Sequence, residues 1–251
     1  MAVACFALLA PAVVRAEITP EEIAKRSELN KKVVELFHAG KFNEALPLAQ
    51  EDLQLAEKTL GPAHPETATS LNNLALIYKS IGNSAKAKPL YQRALQISEK
   101  ALGPTHPETA VSLNNLAELY RSMGDSAKAE PLYLRALQIN EKALGLIHPT
   151  TAVSLNNLAL LYKSMGDSAK AEPLYLRALQ INEKSLGPLH PTTAVSVNNL
   201  AELYHSMGNF PKAEPLLQRA LQINEETLGP RHPTTATYLS NLAFLHHFMG
   251  D

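Results

Sequence analysis

Asparagines, basic groups and carboxylates recur in this chain at fixed intervals, and their types suit recognition better than catalysis. Asn72, Asn114, Asn156 and Asn198 are followed four residues on by Leu76, Glu118, Leu160 and Glu202, and seven residues on by Lys79, Arg121, Lys163 and His205. On a helix, positions i, i+4 and i+7 share a face. An amide there can both donate to and accept from an extended peptide backbone, and the basic groups can pair with carboxylates. The plainer reading of the same face is a solvated surface on which Glu118 and Arg121 pair with each other. A second row, Asn73, Asn115, Asn157 and Asn199, points about 100° further round. These amides are expected to hydrogen-bond across a junction between neighbouring elements, because a buried amide must be satisfied.

Other reactive groups recur in the same way. His64, His106, His148, His190 and His232 are potential metal ligands, but equivalent groups on stacked helices stand roughly 10 Å apart, too far to share an ion. Each is expected to cap or pack a linker. Tyr78, Tyr120, Tyr162 and Tyr204 fall in an apolar stripe and read as core residues with the hydroxyl at its edge. No phosphate-cradling loop, nucleophile elbow or carboxylate pair stands out. No catalytic residue, metal or cofactor is therefore assigned, and the chain reads as a non-enzyme.

The interval that spaces these groups is the unit that positions them. Residues 101–142 and 143–184 differ only at Pro104/Leu146, Thr105/Ile147, Glu108/Thr150, Glu118/Leu160 and Arg121/Lys163, and glycines recur every 42 residues from Gly40 to Gly250. A period of this size means stacked units that bury their apolar faces against one another. Within one unit, Pro107 sits just inside a helix start. Leu113, Leu116, Ala117 and Tyr120 then keep the i, i+3, i+4, i+7 rule to about Ser122. Gly124 supplies a left-handed stop, and Asp125 or Ser126 caps a second helix carrying Ala129, Leu132, Tyr133, Ala136 and Leu137 to about Ala143. Pro131, with Pro47, Pro89, Pro173 and Pro215, lies past the first turn, so a bend or a later start is expected there. The pattern predicts an all-α fold of five helical hairpins near 20–58, 66–101, 108–143, 150–185 and 192–227, followed by an unpaired helix near 234–249.

The run Leu113, Leu116, Tyr120, Gly124, Ala129, Tyr133, Ala136 resembles the tetratricopeptide repeat. The 42-residue unit with LNNLA, GDSAKAEPLYLRAL and the LGP.HP.T linker is similar to the subclass found in kinesin light chains and many bacterial proteins. The likeness spans an array over residues 20–250. Leu113 stands where the family usually has Trp and Ala117 where it has its second Gly, and a longer second helix replaces the terminal Pro. The resemblance implies an α-α superhelix, a solenoid whose first helices line a concave groove that holds peptides or partner proteins. It points to Asn72, Lys79, Asn114, Glu118, Arg121, Asn156, Lys163, Asn198, Glu202 and His205 as groove residues.

With 23 basic and 24 acidic residues the net charge is −1, which gives no general pull on nucleic acid or anionic lipid. The opening MAVACFALLAPAVVRAE holds the only cysteine, Cys5, so no disulfide framework can be built. Residues 1–16 have the length and small-residue ending of an export signal, or form a simple N-terminal tail, and the apolar run is too short to span a bilayer. Export would place the protein in a secreted or periplasmic setting; the alternative is cytoplasmic. The function expected is a protein-interaction scaffold, with a spacer or sensor array inside a larger assembly as the alternative. The last helix carries Leu239, Leu242, Ala243, Phe244, Leu245 and Phe248 with no second helix after it, so the chain is expected either to be a piece of a longer array or to self-associate through that end.

Overall fold

The computed structural model describes residues 19–249, and side chains as far as residue 247. The reading of residues 1–16 and the side chain of Phe248 lie outside this range. Eleven helices follow one another with no strand among the described residues: α1 (Pro20–His38), α2 (Phe42–Thr59), α3 (Pro65–Ser80), α4 (Ser84–Ala101), α5 (Pro107–Ser122), α6 (Ser126–Leu144), α7 (Pro149–Ser164), α8 (Ser168–Ser185), α9 (Pro191–Ser206), α10 (Phe210–Leu228) and α11 (Pro233–Met249). They pair as five hairpins, from α1–α2 to α9–α10, with α11 unpaired. Each helix packs mainly on the ones before and after it in the chain. Buried apolar residues run from Val33 to Leu245, a core as long as the stack rather than a central one. No described helix is long and apolar enough to cross a membrane.

The hairpin follows from small residues set among large ones. On α5, Leu113, Leu116, Ala117 and Tyr120 are buried, and on α6 Ala129, Tyr133, Ala136 and Leu137 are buried against them. Ala117, Ala129 and Ala136 are fully covered, and their lack of bulk lets the helices approach closely. Gly124 has φ 77°, and a Cβ there would meet nothing within 4 Å. The glycine is therefore required by backbone conformation and not by crowding. Asp125 then caps α6 by accepting from the Lys128 N–H at 3.2 Å.

The linker between hairpins is closed by its own side chains. Gly145 has φ 99° and its carbonyl accepts from Thr151 Oγ1 at 2.9 Å, with Thr151 fully buried. His148 Nδ1 accepts from the Thr150 N–H at 3.1 Å, and Pro149 opens α7. His64, His106, His190 and His232 cap α3, α5, α9 and α11 in the same way. The LGP.HP.T signature is thus a turn whose Gly, His, Pro and Thr each perform one geometric task.

The second helices start where their caps place them, so the later start expected from the internal prolines does not occur. Pro131 lies at the sixth position of α6 and is exposed. The carbonyl it leaves without a partner belongs to Ala127, itself exposed, so water can satisfy it. Successive second helices are joined by Arg93–Glu57, Arg135–Glu99 and Arg177–Glu141, each at 2.5 Å, and Arg219–Glu183 at 2.7 Å. These pairs are partly exposed, so each is worth less than about 1 kcal/mol and serves mainly to set register.

Replacing Gly124 by Ala should cost about 1–2 kcal/mol through the left-handed conformation alone. Asn at that position should cost less. Urea denaturation of the two variants measures both.

Candidate functional site

The curvature of the stack shows which face is the inner one. First helices of successive hairpins touch, α3 against α5, α5 against α7 and α7 against α9, whereas successive second helices make no contact of that extent. The odd-numbered helices therefore line the concave side. Counting in steps of 42 residues, the central row of that side is Val34, Leu76, Glu118, Leu160, Glu202 and Phe244. Beside it runs Phe37, Lys79, Arg121, Lys163 and His205.

The charges of these rows are joined across repeats. Glu118 accepts from Lys79 Nζ of the preceding repeat at 2.9 Å and from Arg121 Nε at 2.7 Å and Nη2 at 2.9 Å. Beneath them the fully buried Tyr133 donates its hydroxyl to Glu118 at 2.9 Å. Lys163 reaches Glu202 of the next repeat at 3.0 Å, and Asn198 donates to the same carboxylate at 2.8 Å. Burial acting alone would raise the Glu118 pKa, but the hydrogen bonds from Arg121 and Lys79 outweigh it and bring the carboxyl down to about 2. Burial, and after it the Glu118 charge, hold the Tyr133 hydroxyl well above its usual range, so it remains a donor.

The first asparagine row departs from the solvent-facing role read from sequence. Asn72, Asn114 and Asn156 donate to Ser112, Ser154 and Ser196 of the next first helix at 3.2, 3.4 and 3.3 Å. Their amide oxygens are buried as well, and Asn198 is buried as a whole residue. Both ends of these amides are thus turned into the junction. The serines are hubs: Asn140 and Asn182 of the preceding second helices also donate to Ser154 and Ser196, both at 2.9 Å, and Ser98 meets Ser112 at 3.2 Å. The second row contributes too, since Asn73 bonds Asn30 and Asn241 bonds Asn198, each at 3.0 Å. What the groove presents is the paired charges and the apolar side chains between them.

Two concavities lie at the ends of this face. Val33, Val34, Phe37, His38, Asn73, Leu76 and Ile77 enclose about 180 Å³ between α1 and α3. Lys163, Glu202, His205, Ser206, Leu217, Asn241 and Phe244 enclose about 260 Å³ near α11. In the latter the His205 ring stands 5.6 Å from both Phe210 and Phe244. The sequence reading did not place Val34, Phe37 or Phe244 in the groove, naming Phe244 only in the apolar last helix, although the 42-residue step carried back from Leu76 and Lys79 and forward from Glu202 reaches them.

The tetratricopeptide repeat family model matches residues 29–100, 80–142, 150–225 and 193–251. Among solved structures, the chain resembles a Podosopora anserina protein of nearly identical TPR-like repeats assigned to the kinesin light chains. The identity is 27% and the TM-score 0.67, over 84% of this chain and 99% of that one. It also resembles BtubC (BKLC) from P. vanneervenii, with 26% identity and a TM-score of 0.65 over 85% and 91% of the two chains. A Rap protein complexed with competence and sporulation factor shares the fold at 18% identity, TM-score 0.75, over 92% of this chain and 61% of that one. A search of curated proteins finds no match.

Two outcomes follow from this geometry. The triple variant Asn72→Ala, Asn114→Ala, Asn156→Ala should lose about 2–3 kcal/mol of stability, one modest hydrogen bond at each junction, and thermal melts would show it. Glu118→Gln should cost about 1–2 kcal/mol at pH 7. Because the folded-state pKa lies below the ordinary value of 4.5, that difference should hold down to about pH 4.5 and shrink as the pH falls toward 2. Denaturant titrations of both proteins across this range would measure it.

Proposed function

This chain belongs to the tetratricopeptide repeat family, whose repeats form protein-interaction modules, and on that premise we propose that it is a non-enzymatic scaffold holding a peptide or partner protein along its concave groove. The observation that carries this reading is the mixed ladder on the inner face: Leu76, Glu118, Leu160 and Glu202 in one row beside Lys79, Arg121, Lys163 and His205. Apolar positions one repeat to either side of ion pairs give a bound chain both surface to bury and charges to match. Asn72, Asn114, Asn156 and Asn198 serve that face as positioning residues, since they hold adjacent first helices in register. The alternative of a spacer or sensor array within a larger assembly draws on the near-identical junctions, which would transmit length and stiffness as well as they would frame a groove.

Export of the chain rests on the apolar opening and its small-residue ending, and with it a secreted or periplasmic setting in place of a cytoplasmic one. Self-association through α11 rests on Leu239 and Phe244, which are 56% and 54% exposed. A partner on the groove and a second copy on α11 would both cover Phe244 and so compete.

The groove reading is tested with peptides selected from a random display library on the full chain, then measured against Leu160→Glu. That substitution places at one repeat the residue Glu118 and Glu202 already supply at others, so the fold should tolerate it. Selected peptides should lose at least about tenfold in affinity, as expected when a central apolar contact is removed. Unchanged affinity for Leu160→Glu would locate binding off the inner face and end this proposal.

A further inference from the structure

Each end of the groove holds a concavity walled by large apolar side chains, and the charges of Lys79, Glu118 and Arg121 lie between them; this arrangement specifies a ligand. At the α1 end, Val34 is 46% exposed beside Phe37 and Leu76, around the 180 Å³ concavity. At the α11 end, Leu217 is buried as a floor and Phe244 forms a wall of the 260 Å³ concavity, with Glu202, His205 and Asn241 also lining it. Between them, Lys79 and Arg121 share the single carboxylate of Glu118, whereas Lys163 and Glu202, which line the α11-end concavity, balance each other. The central stretch thus carries one positive charge in excess. An apolar side chain seated over Glu118 would strip water from ions and gain little. A carboxylate would meet two cations, one of them a guanidinium suited to bidentate pairing.

We propose that the groove takes an extended peptide with a large apolar side chain at each end, one in the Val34–Phe37–Leu76 concavity and one in the Leu217–Phe244 concavity, and an acidic residue between them facing Lys79 and Arg121. This rests on the groove reading above and adds the sequence pattern of the ligand. The two concavities lie four repeats apart. First helices packed at 8–10 Å put roughly 35 Å between them, and an extended chain rising about 3.3 Å per residue covers that span in about ten residues. A second anchor joined to a first binds at high effective concentration, so the pair should act together although each concavity is shallow.

The test uses three synthetic peptides labelled for fluorescence anisotropy. The first has phenylalanines about ten residues apart, a central glutamate and otherwise alanine, serine and glycine. The second replaces one phenylalanine by alanine, and the third keeps both at half the spacing. The full chain should bind the first at least about tenfold more tightly than either of the others. Leu76→Glu and Phe244→Glu should each reduce its affinity to that of the one-anchor peptide. Both variants adopt a residue that Glu118 and Glu202 already place at this position in the array, and circular dichroism checks their folding; Phe244→Leu, which should retain binding, serves as the conservative control. Equal affinities for the three peptides, or binding unaffected by both glutamate variants, would overturn the proposal. If these peptides fail while library-selected ones bind and respond to Leu160→Glu, the spacing is wrong and the groove reading stands. If neither set depends on the groove, both fall.

Discussion

Each hairpin can cover its apolar face only with the next hairpin, and everything else in the molecule follows from that limit. Among the described residues no distant segment closes the core, so the junction has to be right at every step. Apolar packing alone leaves sliding between neighbouring helices cheap, because one leucine fits a groove much as another does. The polar hubs at Ser112, Ser154 and Ser196 remove that freedom. Each takes an amide from the preceding first helix, and Ser154 and Ser196 take a second from the preceding second helix. A hydrogen bond tolerates far less displacement than a methyl contact. The arginine–glutamate pairs between second helices add a weaker constraint on the outer side.

This division of labour explains why the inner face is free to vary. Residues 118 and 121 are among the five positions at which two successive units differ, and neither takes part in the serine hubs. A unit can exchange Glu118 for its counterpart Leu160, or Arg121 for Lys163, without disturbing the serine hubs that hold the stack in register. Structural demands fall on the stripe, the turn and the linker; recognition falls on the rows left over. Glu118 belongs partly to both, since Tyr133 ties it to the second helix while Lys79 ties it to the repeat before.

The helices were legible because their ends are written in residues with narrow conformational meaning. Gly124 and Gly145 occupy positive φ, Asp125 and His148 cap, and Pro149 opens a helix, so boundaries read from these residues agree with those observed. The metal-like histidines resolved into caps for the same local reason. The asparagines were not legible. Asn114 and Asn115 are one residue apart on a helix, and which one meets the neighbouring repeat depends on the angle between successive hairpins, a quantity no single unit contains. The terminal concavities were missed because the first and last repeats depart from the consensus: Val34 and Phe37 stand where later repeats have Leu76 and Lys79, and Phe244 where they have Leu or Glu. Of the two outcomes expected from the proline in the second helix, the later start does not occur, because the exposed Ala127 carbonyl confines the proline's cost to a solvated turn.

The alternation Leu76, Glu118, Leu160, Glu202 has a period of two units, twice that of the fold itself. A gene made of nearly identical segments lengthens and shortens by unequal exchange between copies, and the fold is indifferent to how many are gained or lost. The inner face is not. Loss of one copy would set like against like, Leu beside Leu or Glu beside Glu, and would shift every later charge by one step relative to the start of the array. Loss or gain of a pair restores the phase and changes only the reach. The heritable unit of the backbone is therefore one hairpin, while the heritable unit of what the backbone displays is two.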